Sequence, residues 1–218
     1  MKKENLLVFD IDGTLLDSEN VHQTGFVKAM KAIGVSSVNT NWESYTHLTD
    51  SYIAKENYEI VINRGFSNQI LTRFEDEFLK EILDASVTEI QGADAFLNKI
   101  LTETNYGVCF ATGSLLKPAI LKLNRANIRY DKELLVTSSH YLTREEIVNA
   151  AIAKAKTYFG VKKFKRVISL GDGIWDVKTA QNLNLEFIGI GEKNKEKLAA
   201  KGAKHHFVNF KEFDINLL

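Results

Sequence analysis

The chain has 218 residues, of which 44% are apolar and 26% are charged, which is typical of a globular protein with one core domain and a large insertion. Its 28 basic and 28 acidic side chains cancel, so the charge argues against a protein that neutralises nucleic-acid phosphates. The single cysteine, Cys109, excludes an internal disulfide, and no apolar stretch has the length of a membrane span or a signal peptide. We therefore expect a cytoplasmic protein without a membrane or nucleic-acid partner.

Five short apolar runs predict β-strands that are buried on both faces, because their apolar side chains do not alternate with polar ones. The runs are 6–9, 107–111, 134–136, 167–170 and 187–190. Helical spacing of apolar residues follows in 93–103 and in 143–159, and the second of these opens with a capping box from Thr143 to Glu146. Alternating strands and helices predict an α/β fold, a Rossmann-like three-layer core with a parallel sheet covered on both faces.

The segment 17–87 breaks this alternation, because it contains no continuous apolar run of strand length. Its patterns predict helices over 51–63 and 68–83, after a polar stretch at 36–49. We therefore predict a catalytic core made of residues 1–16 and 88–218, and an inserted helical cap made of residues 17–87.

Four carboxylates follow predicted strands. Asp10 and Asp12 end the first strand, and Asp172 and Asp176 follow the strand at 167–170. Ligands of open parallel sheets bind beyond the carboxyl ends of the strands, so these acids are expected to meet there. Two like charges about 4 Å apart repel by roughly 4 kcal/mol at an effective dielectric near 20, and a cation relieves this cost. Oxygen ligands suit Mg²⁺.

Three stretches resemble motifs of the haloacid dehalogenase-like superfamily. The residues at 8–15, VFDIDGTL, are similar to its first motif, those at 110–113, FATG, to the second, and those at 171–176, GDGIWD, to the fourth. The helical segment between the first two motifs resembles the cap of the phosphoglycolate phosphatase and β-phosphoglucomutase branch. The resemblance implies a Mg²⁺-dependent phosphatase.

The resemblance assigns a role to each acid. It implies that Asp10 is the nucleophile, which forms an aspartyl-phosphate, and that Asp12 protonates the leaving alcohol and then activates water. It also implies that Mg²⁺ is held by Asp10, by the carbonyl of Asp12, by Asp172 and by Asp176. The dehalogenase branch lacks an acid at the position of Asp12, so phosphoryl transfer is favoured over carbon–halogen cleavage.

The phosphate-binding residues implied by the resemblance are Thr112, Gly113 and a cation from the third motif. The family usually places a lysine there, whereas this chain has Thr-Arg-Glu at 143–145. Arg144 is one candidate for the cation, because its planar guanidinium can bind phosphate through two hydrogen bonds. Lys117, shortly after the second motif, is the other candidate.

Four polar residues of the predicted cap are candidates for substrate contacts, namely His22, His47, Thr49 and Asp50. His22 matches the position where this branch leaves the core for the cap, so it could steady Asp12 or touch the substrate. A polar helix residue without a role in the site is the alternative for His22. The other three lie where the branch carries a loop that reads the substrate.

The function predicted from the sequence is hydrolysis of a small phosphorylated metabolite, with Mg²⁺ as cofactor. One alternative is a sugar phosphomutase of the same branch, which returns the phosphoryl group to a second hydroxyl instead of to water. Another alternative, from a different class, is a non-catalytic binding or regulatory protein built on this scaffold.

Overall fold

Six strands form one parallel sheet in a computed structural model that describes residues 1–218. The strands are β1 (Asn5–Phe9), β2 (Leu16–Asp17), β3 (Thr88–Glu89), β4 (Tyr106–Ala111), β5 (Leu135–Val136), β6 (Val167–Gly171), β7 (Glu186–Ile190) and β8 (His205–Phe207). The order across the sheet is β5-β4-β1-β6-β7-β8, and β2 pairs separately with β3 in antiparallel orientation. Phe9 at the end of β1 lies beside Phe110 of β4 and Leu170 of β6. The residues that follow these three strands therefore share one edge of the sheet.

Helices cover both faces of this sheet. They are α1 (Glu19–Ala32), α2 (Asp50–Ile62), α3 (Asn68–Glu81), α4 (Ala93–Glu103), α5 (Leu116–Arg125), α6 (Arg144–Tyr158), α7 (Ile174–Asn182) and α8 (Lys195–Ala200). Leu7 and Phe9 belong to an apolar cluster with α4 and α5, whereas Leu6 and Val8 belong to a cluster with α6. Both faces of β1 are buried, which explains its unbroken apolar run. The predicted Rossmann-like α/β core is confirmed.

The helical insertion, defined as residues 19–81 with α1, α2 and α3, has an apolar cluster of its own. Phe26, Phe74 and Phe78 lie at its centre, and the rings of Phe26 and Phe74 meet edge to face at 5.0 Å. The β2–β3 pair stands where the chain leaves the sheet and where it returns. None of the helices combines the length and hydropathy that crossing a membrane requires.

The predicted element bounds agree with the structure to within two residues. Thr49 caps α2 by accepting a hydrogen bond from the backbone of Tyr52, so this helix begins at Asp50, one residue before the predicted start. Two elements that hold parts of the site, α1 and α5, were not predicted individually. The short strand β8 was also missed, because His-His-Phe lacks the apolar run used to find the others.

The capping box at the start of α6 orients the backbone that carries Arg144. The Thr143 hydroxyl accepts a hydrogen bond from the backbone N–H of Glu146 at 3.2 Å, and the Glu146 carboxylate accepts one from the backbone N–H of Thr143 at 3.0 Å. This reciprocal pair satisfies two N–H groups that the helix itself leaves free.

Replacing Thr143 with alanine is expected to lower the free energy of unfolding by roughly 0.5–2 kcal/mol, because the first turn of α6 loses its cap. Urea unfolding measures this change. Thr157→Ala in the exposed last turn of the same helix is the control, with an expected change within about 0.5 kcal/mol. Equal losses in the two variants would contradict the stabilising role of the cap.

Candidate active site

Three buried carboxylates meet at the carboxyl edge of the sheet. Asp10 follows β1 directly, Asp172 follows the adjacent strand β6, and Asp176 lies in the first turn of α7. One oxygen from each carboxylate lies within 4.8 Å of the oxygens from the other two. The structure thus brings together three of the four acids predicted from the sequence, because neighbouring parallel strands end at the same edge.

The loop after β1 passes close to Asp172, and this passage depends on Gly13. Gly13 has a φ of +82°, and a Cβ atom added to it would lie 2.3 Å from a carboxylate oxygen of Asp172. Only glycine therefore allows both the conformation and the approach. The Thr14 hydroxyl donates to the Asp172 carboxylate at 3.4 Å, and the Asn194 side chain donates to the Asp172 carbonyl at 3.0 Å. Asn194 was not among the predicted site residues.

The electrostatics of the three acids favour a cation among them. Burial raises the pKa of Asp172 well above its usual value, and the charges of Asp176 and Asp10 raise it further. Burial, and next to it the negative charge of Asp10, raise the pKa of Asp176 to about 7. Burial also raises the pKa of Asp10, although the positive charge of Arg144 acts in the opposite direction. A divalent cation would offset this repulsion, and an all-oxygen donor set fits Mg²⁺.

Arg144, the first residue of α6, reaches into the acidic cluster. Its guanidinium donates to the Asp10 carboxylate at 2.8 Å, lies 3.5 Å from the Asp176 carboxylate, and donates to the Leu48 carbonyl at 2.9 Å. Burial alone would lower the pKa of Arg144, but the charges of Asp10 and Asp176 hold it above its usual range. A permanent positive charge therefore lies beside the predicted nucleophile.

Lys117, the other candidate for this cation, lies elsewhere. It is in α5, where its ammonium forms an exposed ion pair with Asp76 of α3 at 2.5 Å, and its side chain is 46% exposed. The charge of Asp76 and their hydrogen bond raise the pKa of Lys117. The structure does not bring Lys117 to the acidic cluster, because the helix directs this position towards α3 and not towards the sheet edge.

Asp12 points away from the acidic cluster. Its two carboxylate oxygens accept hydrogen bonds from the ammonium of Lys122 at 2.5 and 2.6 Å, and one of them also accepts from the Ser18 hydroxyl. Burial favours the neutral acid, but the positive charge of Lys122 and its hydrogen bonds lower the pKa of Asp12 to about 2. Asp12 is therefore a carboxylate in the free protein, and its hydrogen-bond partners are not shared with the three clustered acids.

Lys122 was missed in the sequence, although a signal for it exists. The buried stripe of α5 consists of Pro118, Ala119, Lys122 and Leu123, which have the spacing of one helix face. A lysine in a stripe that is otherwise apolar is seldom buried unless it has a partner. None of the three motifs includes this position of α5, so the motifs alone do not assign Lys122 to the site.

Thr112 and Gly113 follow β4 at the same edge of the sheet. The Thr112 hydroxyl accepts a hydrogen bond from the backbone N–H of Ser114 at 3.0 Å, which fixes the turn after the strand. A Cβ atom added to Gly113 would lie 2.8 Å from the Leu48 carbonyl and 2.9 Å from the Arg144 guanidinium. A glycine here thus lets the helical insertion and Arg144 approach the turn closely.

Of the four candidates in the helical insertion, three line the cavity beside these residues, and His47 does not. His22 lies 2.8 Å from a carboxylate oxygen of Asp50 through its Nε2 atom. Thr49 caps α2, and its hydroxyl donates to the Leu142 carbonyl at 2.7 Å. His47 packs against a tyrosine ring of its own helical insertion.

The cavity lies between the sheet edge and the helical insertion and has a volume of about 80 Å³. Asp12, Thr112 and Arg144 form part of its wall on the core side, and Phe26 and Trp42 form part of its wall on the side of the insertion. Polar groups of the core and aromatic rings of the insertion therefore line the same cavity.

A sequence profile of haloacid dehalogenase-like hydrolases matches residues 7–190, which include every acid of the site. The chain belongs to the haloacid dehalogenase-like hydrolase family. The resemblance found from the three sequence motifs is thereby confirmed. A search of curated proteins found no match.

Solved structures of this hydrolase family share the fold of the chain. A hydrolase from Pseudomonas syringae is 19% identical with a TM-score of 0.70, and the match covers 93% of each chain. CbbY from Rhodobacter sphaeroides, solved with phosphate, is 15% identical with a TM-score of 0.72, over 97% of this chain and 96% of that one. A provisionally assigned β-phosphoglucomutase from Bacteroides vulgatus is 19% identical with a TM-score of 0.67, over 95% and 85%.

Proposed function

We propose that the protein is a Mg²⁺-dependent phosphatase that hydrolyses a small phosphate monoester through an aspartyl-phosphate. The observation that carries the proposal is the buried group of Asp10, Asp172 and Asp176, with Arg144 donating to Asp10 and the cavity beside them. Burying three carboxylates and an arginine together is costly for a protein core. The same arrangement is useful for stabilising a phosphoryl group during its transfer.

In the first step, a carboxylate oxygen of Asp10 attacks phosphorus, and the bond from phosphorus to the leaving oxygen breaks. Asp12 is a carboxylate in the free protein, so it first takes up the proton of the bound ester monoanion. The leaving oxygen then takes this proton, an alcohol departs, and Asp12 is a carboxylate again. Arg144 and Thr112 would bind the non-bridging oxygens, and the presence of both in the cavity lining supports this role. Asp12 lines the cavity without belonging to the cluster of three acids, which supports its role on the leaving-group side.

In the second step, water attacks the phosphorus of the aspartyl-phosphate. Asp12 takes the proton of this water, the bond from phosphorus to the Asp10 oxygen breaks, and inorganic phosphate leaves. Asp12 passes the proton to the departing phosphate, so Asp12 and Asp10 are both carboxylates again and the cycle closes. One residue can thus act first as acid and then as base, because it gives a proton to the leaving oxygen and then takes one from water.

Asp10, Asp172 and Asp176, with the carbonyl of Asp12, would hold Mg²⁺. The ion would supply charge neutralisation for the phosphoryl oxygens. The high pKa values of the three buried carboxylates in the absence of a cation support this assignment.

Residues 17–87 are proposed to act as a cap over a core made of residues 1–16 and 88–218. The insertion contacts the site in several places, among them the Leu48 carbonyl, which accepts from Arg144, and the Asp50 N–H, which donates to the Gly113 carbonyl at 2.8 Å. The cavity between the insertion and the sheet edge is small, about 80 Å³, which supports a small substrate. His22, Thr49 and Asp50 are its candidates for contact with the substrate.

A screen of phosphate release tests the proposal. The panel contains sugar phosphates, phosphoglycolate, nucleotides and pyrophosphate, each with and without EDTA, and the products are also analysed for isomers. Phosphate release that EDTA abolishes supports the phosphatase. Isomer formation without net phosphate release would indicate a phosphomutase, and no turnover of any ester would indicate a non-catalytic protein.

Magnesium is expected to raise the thermal unfolding temperature by about 5–10 °C at a hundredfold excess over its dissociation constant, because it binds only the folded site. Differential scanning fluorimetry measures the shift without any substrate. Asp172→Asn should lose most of the shift, whereas Asp84→Asn, at an exposed position outside the site, should keep it. An equal shift in the two variants would contradict magnesium binding by this cluster.

A further inference from the structure

Lys122 is a buried lysine whose contacts all lead to the site. Its side chain is 1% exposed, and its ammonium donates to both oxygens of Asp12 at 2.5 and 2.6 Å. The same nitrogen lies 2.8 Å from the Nδ1 atom of His22 and 3.3 Å from the Ser114 hydroxyl oxygen. An ammonium has three N–H groups, and these four polar atoms within 3.3 Å supply enough acceptors for all of them.

A buried ammonium group is costly for a fold that needs only an apolar residue at this position of α5. Its neighbours on the same helix face, Ala119 and Leu123, belong to the main apolar cluster. Ion pairs in the interior are weak evidence for stability, because desolvation offsets their attraction. The contact with Asp12 therefore points to a functional reason for the lysine.

The contacts of Lys122 continue into the helical insertion. His22 Nδ1 faces the ammonium and accepts from it, so its Nε2–H is left to donate to the Asp50 carboxylate at 2.8 Å. The second oxygen of Asp50 accepts from the backbone N–H of Leu115 in the core at 2.9 Å. An unbroken series of hydrogen bonds thus joins the insertion to Asp12.

The two cations near the site serve different acids. Arg144 contacts Asp10 and Asp176, whereas the charged contact of Lys122 is with Asp12. Arg144 also lines the cavity, but Lys122 does not. This separation places Arg144 with the phosphoryl group and leaves Lys122 without access to it.

We propose that Lys122 is a positioning residue, which orients the Asp12 carboxyl group towards the leaving oxygen and couples it to the helical insertion through His22 and Asp50. The inference rests on the proposed phosphatase function and adds to it a residue outside the motifs. Because Lys122 acts through Asp12, its removal should matter most where proton transfer to the leaving group matters most.

The test compares Lys122→Met with the wild type on an alkyl phosphate, glycerol phosphate, and an aryl phosphate, 4-nitrophenyl phosphate. We expect kcat/KM to fall about 10- to 100-fold for the alkyl ester, since general acid catalysis contributes about 10²–10⁴-fold. The aryl ester should lose less than about threefold, because nitrophenolate leaves without a proton. Lys154→Met, an exposed lysine of α6, controls for the substitution itself.

A double-mutant cycle separates positioning from packing. If Lys122 acts through Asp12, Asp12→Asn combined with Lys122→Met should have the activity of Asp12→Asn alone. Equal losses on the two esters, or fully additive losses in the double variant, would overturn the proposal. If Lys122→Met does not fold, the double variant should still fold, because it leaves no unpaired carboxylate, and its failure to fold would assign Lys122 to structure alone.

An inactive wild type would reject the proposed function, and the inference would then be judged by stability. The same four proteins, together with Asp50→Asn and the double variant Asp50→Asn, Lys122→Met, are unfolded in urea, and the free energies of unfolding form one cycle for each pair of positions. A coupling between positions 12 and 122, with a matching coupling between positions 50 and 122, would support the series of contacts. Additive effects at both pairs would overturn it.

Discussion

Replacing Asp10 with asparagine is expected to lower phosphate release by at least about 10⁴-fold, because the nucleophile of a covalent mechanism is lost. The change removes a negative charge from the acidic cluster but keeps the size of the side chain. The fold should therefore remain, and the variant should show a circular dichroism spectrum like that of the wild type. Steady-state phosphate release on the best ester of the panel gives the measurement.

Asp84→Asn is the matched control for this variant, because it makes the same chemical change at an exposed position. Its activity should stay within about twofold of the wild type, as surface substitutions usually have small effects. Trapping the phosphoryl enzyme and locating the modified residue by mass spectrometry adds direct evidence. Phosphate release by Asp10→Asn within about tenfold of the wild type would exclude a covalent role for this residue.

Arg144→Met is expected to reduce kcat/KM by about 10²–10³-fold, since it removes the fixed positive charge beside Asp10 and leaves the neighbouring carboxylates unopposed. Arg144→Lys should recover only part of this loss, because an ammonium lacks the two parallel N–H groups of the guanidinium. The measurement is the kinetics of phosphate release at saturating magnesium.

Lys117→Met distinguishes the two cations that the sequence leaves open. Its side chain is exposed and paired with Asp76, so its removal should change kcat/KM by no more than about twofold. A larger loss for Lys117→Met than for Arg144→Met would reverse the assignment of the phosphate-binding cation.

The core and its chemistry were predictable because they depend on local patterns. A strand buried on both faces has to be apolar over its whole length, and the acids that follow it have to lie at the sheet edge. Asp10 and Asp172 are therefore visible in a single sequence, although 161 residues separate them. The capping box of Thr143 and Glu146 was equally visible, because its two partners are three residues apart.

The arrangement around Asp12 was not predictable from local patterns. Lys122 and Asp12 are 110 residues apart, and no local sequence pattern links the two positions. The choice between Arg144 and Lys117 likewise depends on which helix face turns to the sheet edge. Such directions follow from how whole helices pack, and not from the identity of one residue.

By itself, the sequence determined the α/β class, the five buried strands of the core, and the acids at the strand ends, because each of these follows from hydrophobic period or from residue type. The tertiary structure alone decided that Arg144 joins Asp10, that Lys122 joins Asp12, and that Lys117 joins neither. Which carboxylate a cation pairs with depends on the distance between them and on their burial, and both are set by how the chain packs.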